Sequence, residues 1–180
     1  IPADMIMQYN TATAPRLYVV DKSVAGTAYE LGGYGQSAKS LRYDFYAIAP
    51  GAVMSVTTQK INVSTLTAPK LFFQHAYCSY AGEADGLKVF ASTDCGTTWT
   101  NIFDKAGTTL ATSGNQTARF YPQASQWVTN QISLAQFASS NEVVFKFEGT
   151  SAYGNSLYVD NIWVSNNALG VDENATASLV

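Results

Sequence analysis

Over much of this chain apolar and polar side chains alternate one for one, and that period of two constrains the fold more than any other feature. Val143, Phe145 and Phe147 interleave with Val144, Lys146 and Glu148, and Val128, Ile132 and Leu134 sit in a second alternating run. A strand with one face in a core and the other in water requires this pattern, because successive side chains leave opposite faces. No stretch sustains a helical period. Strands are expected at 16–20, 41–47, 53–59, 70–77, 86–92, 98–103, 126–134, 142–148 and 157–164, separated by Gly, Ser, Asn and Pro turns, with one helical turn within 133–138. About nine such strands without helices predict an all-β chain, a two-sheet antiparallel β-sandwich.

At 180 residues the chain is long enough for one such domain with a substantial core. Residues 1–165 form the expected sandwich module. The composition then turns small and polar, so 166–180 reads as a linker toward a missing C-terminal domain. The start Ile1-Pro2-Ala3-Asp4 reads as that of a processed chain or a fragment, and the parent protein is expected to continue beyond Val180. Charged residues make up 13%, about half the usual share, and Thr, Ser, Asn, Gln and Gly fill the polar positions instead. That surface suits a secreted or cell-surface module. The net charge is -3 and Lys and Arg do not cluster, which argues against nucleic acid as a partner. The apolar runs fall far short of the ~20 residues that span a bilayer, so no membrane insertion is expected.

Catalytic constellations are missing from the sequence. The single histidine, His75, sits inside an alternating strand and reads as a hydrogen-bonded histidine rather than a general base. There is no His-Glu-x-x-His and no Gly-x-Ser-x-Gly. Asp85, Asp94 and Asp104 are expected at turns, capping backbone, and Glu142 and Glu148 at solvated strand ends. Gly32-Gly33-Tyr34-Gly35 reads as a tight turn, since neither a Lys-Ser/Thr pair nor a helix follows it. This segment is therefore not expected to be an enzyme. Cys78 and Cys95 invite a disulfide, but with 71–77 and 87–91 taken as hairpin partners they would stand ~25 Å apart, against a Cα limit of ~7 Å. Two free, largely buried thiols are expected, and Trp99 is expected to anchor the core.

One carboxylate stands out. In Leu157-Tyr158-Val159-Asp160-Asn161-Ile162-Trp163-Val164, strict alternation puts Asp160 on the face of Ile162 and Val164, with Leu157, Val159 and Trp163 on the other. A carboxylate among apolar side chains needs compensation. Backbone N–H donors are one way to supply it. A calcium ion held by Asp160 with carbonyl oxygens from the loop before Leu41 is another.

The segments Asp85-Gly86-Leu87-Lys88-Val89, Ser92-Thr93-Asp94-Cys95-Gly96-Thr97-Thr98-Trp99, Leu110-Ala111-Thr112, Gln126-Trp127 and Tyr153-Gly154-Asn155-Ser156-Leu157-Tyr158-Val159-Asp160-Asn161-Ile162 together resemble the MAM-like, cleaved-adhesin or choice-of-anchor jelly-roll modules of Bacteroidetes secreted and surface proteins. The resemblance covers 85–164 well, and Gly35-Gln36-Ser37 and Ile61-Asn62-Val63-Ser64 are similar to the family's early strands. It implies a non-catalytic β-sandwich appended to a peptidase, glycanase or adhesin, a linker leading to a type IX secretion sorting domain, and a structural calcium near Asp160. Two functions fit. An accessory or adhesion module would contact a glycan or protein surface through loop aromatics and amides, with Tyr34, Tyr80, Tyr153 and Asn155 as candidates. A purely structural spacer would instead pack against adjacent domains of the parent chain, such as a neighbouring hydrolase.

Overall fold

The computed structural model describes residues 5–10, 16–21, 38–80 and 82–167. Among them ten strands build two antiparallel five-stranded sheets. One sheet has the order β1-β4-β9-β6-β7 and the other β2-β3-β10-β5-β8. The strands are β1 (Ile6–Tyr9), β2 (Leu17–Asp21), β3 (Lys39–Asp44), β4 (Val53–Thr57), β5 (Lys70–Tyr77), β6 (Gly86–Ser92), β7 (Thr100–Ala106), β8 (Val128–Ser133), β9 (Val144–Thr150) and β10 (Ser156–Ser165). The nine expected strands are all present. β1 is additional, and a short 3-10 turn, Ala135–Phe137, occupies the expected helical position. Described residues form no helix long and apolar enough to cross a membrane.

The core lies between the sheets. Met54, Val56, Phe145, Phe147, Leu87 and Val89 of the first sheet face Leu41, Tyr43, Leu71, Phe73, Leu157 and Val159 of the second. Phe73 meets Phe147 edge-on with ring centroids 5.2 Å apart, and the Tyr43 hydroxyl donates across the gap to the Phe147 carbonyl at 2.9 Å. Thus the large polar-tipped Tyr43 is accommodated without an orphaned hydroxyl. Beside it Gly149 leaves the space that the ring needs, since a Cβ there would lie 2.6 Å from Tyr43 Cδ1 and 2.8 Å from Phe45 Cζ. The outer face of the second sheet is covered too. The connection between β7 and β8 lays Phe120 and Trp127 against Tyr158, Ala76 and Val20 as a second apolar cluster. The 107–127 connection is therefore in part a cover over the sheet.

Four expectations change. First, Asp160 and Gln74 are partners, as are Trp163 and Phe72, so Asn161 and Ile162 together oppose Phe73. Asn161 adopts φ 47 in this bulge, and the phase of the strand shifts by one residue. Leu157, Val159, Ile162 and Val164 all point inward, while Tyr158 faces the outer cluster and Trp163 stacks on Phe72. Asp160 consequently shares the outer face with Tyr158 and Trp163, not the inner face with Ile162 and Val164. Second, β5 and β6 belong to different sheets, so 71–77 and 87–91 are not a hairpin; both cysteines are free, with Cys78 buried but Cys95 exposed at φ 58 in the β6–β7 turn. Third, two carboxylates lie inside strands: Asp104 in β7, paired with Lys88 at 3.1 Å, and Glu148 in β9, half-buried and paired with Lys146 at 3.1 Å. Fourth, Trp99 is half-buried on the outer side of the first sheet, where the Lys146 ammonium sits between its ring and that of Phe90. Asp94 is the turn cap expected of it: Oδ1 accepts from Ser92 Oγ at 2.7 Å and from the Thr98 N–H at 2.9 Å.

Candidate functional site

Strand direction gathers the loop chemistry at one end of the sandwich. β3, β5, β7 and β9 run toward that end and β4, β6, β8 and β10 run away from it, as the pairs Gly86↔Ala106, Val53↔Thr150, Ser156↔Asp44 and His75↔Val128 show. The connections 45–52, 78–85, 107–127 and 151–155 all meet there, as does the one from β1 to β2, whose described ends are Asn10 and Arg16, and all five pass from one sheet to the other. Tyr46, Tyr80, Tyr153 and Asn155 come from these connections.

Asp85 organises this end. Its side chain is fully buried, yet Oδ1 accepts the N–H groups of Ala152 at 2.7 Å and Gly154 at 3.1 Å, and Oδ2 accepts the Asn155 N–H at 2.8 Å and the Tyr77 hydroxyl at 2.9 Å. The carboxylate is thus a strut between the β5–β6 and β9–β10 connections. Burial pushes the Asp85 carboxyl above its ordinary range, and the three N–H donors and Tyr77 pull it back. Gly154 has to be glycine here, because a Cβ would collide with Oδ2 and stand 2.8 Å from Cγ. The sequence reading of Asp85 as a simple turn cap misses this role, since its N–H partners lie 67–70 positions away.

The strut fixes an exposed aromatic. Tyr153 sits between Ala152 and Gly154 with its side chain projecting outward, 57% exposed. Its backbone adopts φ 70, a left-handed conformation that costs a non-glycine residue roughly 1–2 kcal/mol. Its N–H donates to Ser151 Oγ at 3.0 Å, and that hydroxyl donates to the Ile48 carbonyl at 3.1 Å. Asn155 does something different from what the sequence suggests. It is buried, its Nδ2 donates to the Gln116 and Ala118 carbonyls, and its Oδ1 accepts from the Phe120 and Ser156 N–H groups. With both donors and both lone pairs engaged it clamps the cover onto β10 and has no capacity left for a ligand.

Tyr80 is half-buried and meets Tyr46 edge-on, with ring centroids 6.5 Å apart. The Arg119 guanidinium lies 4.8 Å over the Tyr46 ring and pairs with the buried Asp44, which also accepts from Ser156 Oγ and lies 3.8 Å from Arg42. Tyr46 was not singled out by sequence. It falls within an expected strand, and only the early end of β3 at Asp44 exposes it. Tyr34 and the loop before Leu41 lie outside the described residues.

His75 is a buried structural histidine. Its Nε2 lies 2.9 Å from the Leu110 carbonyl, which can only accept, so Nε2 carries the proton and Nδ1 accepts from Asn130 Nδ2 at 2.7 Å. Burial lowers its pKa to about 4. Among the described residues no three His, Cys, Asp or Glu side chains stand together as metal ligands. A cation at Asp160 would have one carboxylate and would need main-chain carbonyls for the remainder.

No protein-family model matches the sequence, and no curated protein matches it either. Solved structures share its fold. The K2 cleaved adhesin domain of Lys-gingipain is 16% identical, with 89% of each chain covered and a TM-score of 0.58. TmCBM61, in complex with β-1,4-galactotriose, is 8% identical over 92% of this chain and 90% of its own, with a TM-score of 0.55. The K1 cleaved adhesin domain of Lys-gingipain from Porphyromonas gingivalis W83 is 13% identical over 91% of this chain and 99% of its own, with a TM-score of 0.51. At these identities the likeness is one of fold alone, a two-sheet antiparallel β-sandwich.

Proposed function

We propose that this chain is a non-catalytic binding module of a secreted or cell-surface multidomain protein, and that it contacts a glycan through the loop end described above. One observation carries the reading. Tyr153 holds a large apolar ring in water on a left-handed backbone, and a buried carboxylate fixes that backbone. Stability alone favours glycine at such a φ and a polar side chain at such exposure. Strain retained beneath an exposed aromatic is the arrangement of a preformed contact, since a tyrosine ring stacks on the apolar face of a sugar and loses little freedom in doing so. The fold is shared with adhesin domains and with a structure in complex with galactotriose, which supports the same reading.

A glycan array probed with the 180-residue chain tests it. The expected result is reproducible binding that Tyr153→Ala abolishes while the melting temperature stays within ~2 °C of the parent. Failure to bind any glycan, or binding that Tyr153→Ala leaves intact, refutes it. The first of those outcomes favours a spacer packed against a neighbouring hydrolase. Calcium at Asp160 belongs to the same proposal as a stabilising ion: EDTA is expected to lower the melting midpoint and added Ca²⁺ to restore it, and an unchanged midpoint removes the ion.

A further inference from the structure

We infer that the ligand of this loop end is an electrically neutral oligosaccharide rather than an acidic one. The inference rests on the reading above and adds the chemistry that chooses among glycans. Among the described residues of the connections meeting at this end, the charged side chains are Arg16, Glu83, Asp85 and Arg119. Two of them are consumed internally. Asp85 is buried and accepts four hydrogen bonds, while Arg119 is committed to the buried Asp44 beneath it and to the Tyr46 ring. Glu83 remains, half-buried and of the sign that repels an anion, and so does Arg16, exposed at the start of the edge strand β2 with its guanidinium 3.4 Å from the Tyr18 hydroxyl.

What the end presents instead is aromatic, amide and hydroxyl: Tyr153, Tyr80, Asn115, Gln123 and Ser125 are all at least partly exposed. Each sugar hydroxyl is both donor and acceptor, and so are primary amides and phenols, which makes this surface complementary to an uncharged polyol. A uronate or sulfate would need a free guanidinium or ammonium, since an anion is recognised through charge-assisted bonds. Of the guanidinium groups at this end, Arg119 could turn to such a ligand only by giving up its ion pair with the buried Asp44, which would then keep Arg42 at 3.8 Å and Ser156 Oγ alone, and Arg16 stands on the β2 edge, two strands from β10.

The test uses neutral oligosaccharides, β-1,4-galactotriose among them, alongside uronic-acid and sulfated oligosaccharides, with titrations at low and high NaCl. Neutral ligands are expected to bind in a Tyr153-dependent manner with a dissociation constant that changes by less than about two-fold between ~50 mM and ~500 mM salt, where a charge-driven contact would weaken by roughly ten-fold or more. Glu83→Gln is expected to leave that affinity unchanged. Preference for uronic or sulfated ligands, or a steep salt dependence, overturns the neutral assignment while leaving the binding module standing. Absence of Tyr153-dependent binding to any of the three classes overturns both.

Discussion

Replacing Asp85 by asparagine preserves shape and removes the charge, which makes it the sharpest probe of the strut. With the amide oxygen kept at the Oδ1 position, the N–H groups of Ala152 and Gly154 retain their acceptor. The new NH₂ group then faces the Asn155 N–H and the Tyr77 hydroxyl, which lie 2.8 and 2.9 Å from Oδ2. Tyr77 can turn its hydroxyl and accept. The backbone of Asn155 cannot, and a buried N–H left without an acceptor costs ~1–3 kcal/mol. The two surviving bonds fall from charge-assisted to neutral, a further ~1 kcal/mol. The sum is ~2–4 kcal/mol, and in a chain of this size each kcal/mol lowers the melting midpoint by ~2–4 °C, so a drop of about 10 °C is expected. Urea unfolding followed by tryptophan fluorescence gives the free energy directly, with an unchanged slope confirming that only stability moved. Tyr77→Phe, which removes one donor and leaves the carboxylate its three N–H groups, is the control and should cost ~1 kcal/mol. If Asp85→Asn were within ~0.5 kcal/mol of the parent, the carboxyl would already be protonated in the folded protein, and the loop would not be held by an anion.

Three further outcomes follow from the same geometry. His75 has a folded-state pKa of about 4 against ~6.5 unfolded, so the folded chain binds fewer protons; its contribution is complete above pH ~6.5 and is lost as pH falls toward 4, amounting to about 3 kcal/mol in urea titrations, and His75→Gln should remove that component. Tyr153→Gly should leave stability within ~0.5 kcal/mol of the parent, because relief of the left-handed backbone offsets the entropy of glycine, whereas a loss above ~2 kcal/mol would make the ring a structural prop. Thiol titration should find one group, Cys95, reactive in the folded chain and Cys78 reactive only after unfolding, since burial pushes the Cys78 thiol up to about 12; equal rates, or an intact mass two units low, would contradict this.

The strands were legible because each buried face leaves its own period in the sequence, and Val143, Phe145 and Phe147 all reach the core as the alternation requires. β1 was not, because Ile6-Met7-Gln8-Tyr9 pairs only with β4 at the sheet edge and leaves Ile6 and Tyr9 exposed, so no alternation marks it. Asp160 was placed on the wrong face for a related reason: counting by twos cannot register a bulge, and Asn161 gives no local sign of one beyond its tolerance of positive φ. The site was legible in part. Tyr80 and Tyr153 could be read as loop aromatics from neighbouring turn residues, but that they share one end depends on strand direction. The strut and the clamp were out of reach, since the hydrogen bonds that define Asp85 and Asn155 join residues 35–70 positions apart.

The Asn161 bulge makes β10 two half-strands in different phase. The first half could lengthen or shorten by an even number of residues and still bury Leu157 and Val159, but losing the single residue at 161 would invert the second half. Ile162 and Val164 would turn out of the sandwich and Trp163 would be driven into a core that has no room for it. The strand therefore tolerates substitution at 161 by glycine or aspartate far better than deletion. The pairing of Trp163 with Phe72 on the outer face depends on one left-handed residue, not on the identity of either ring.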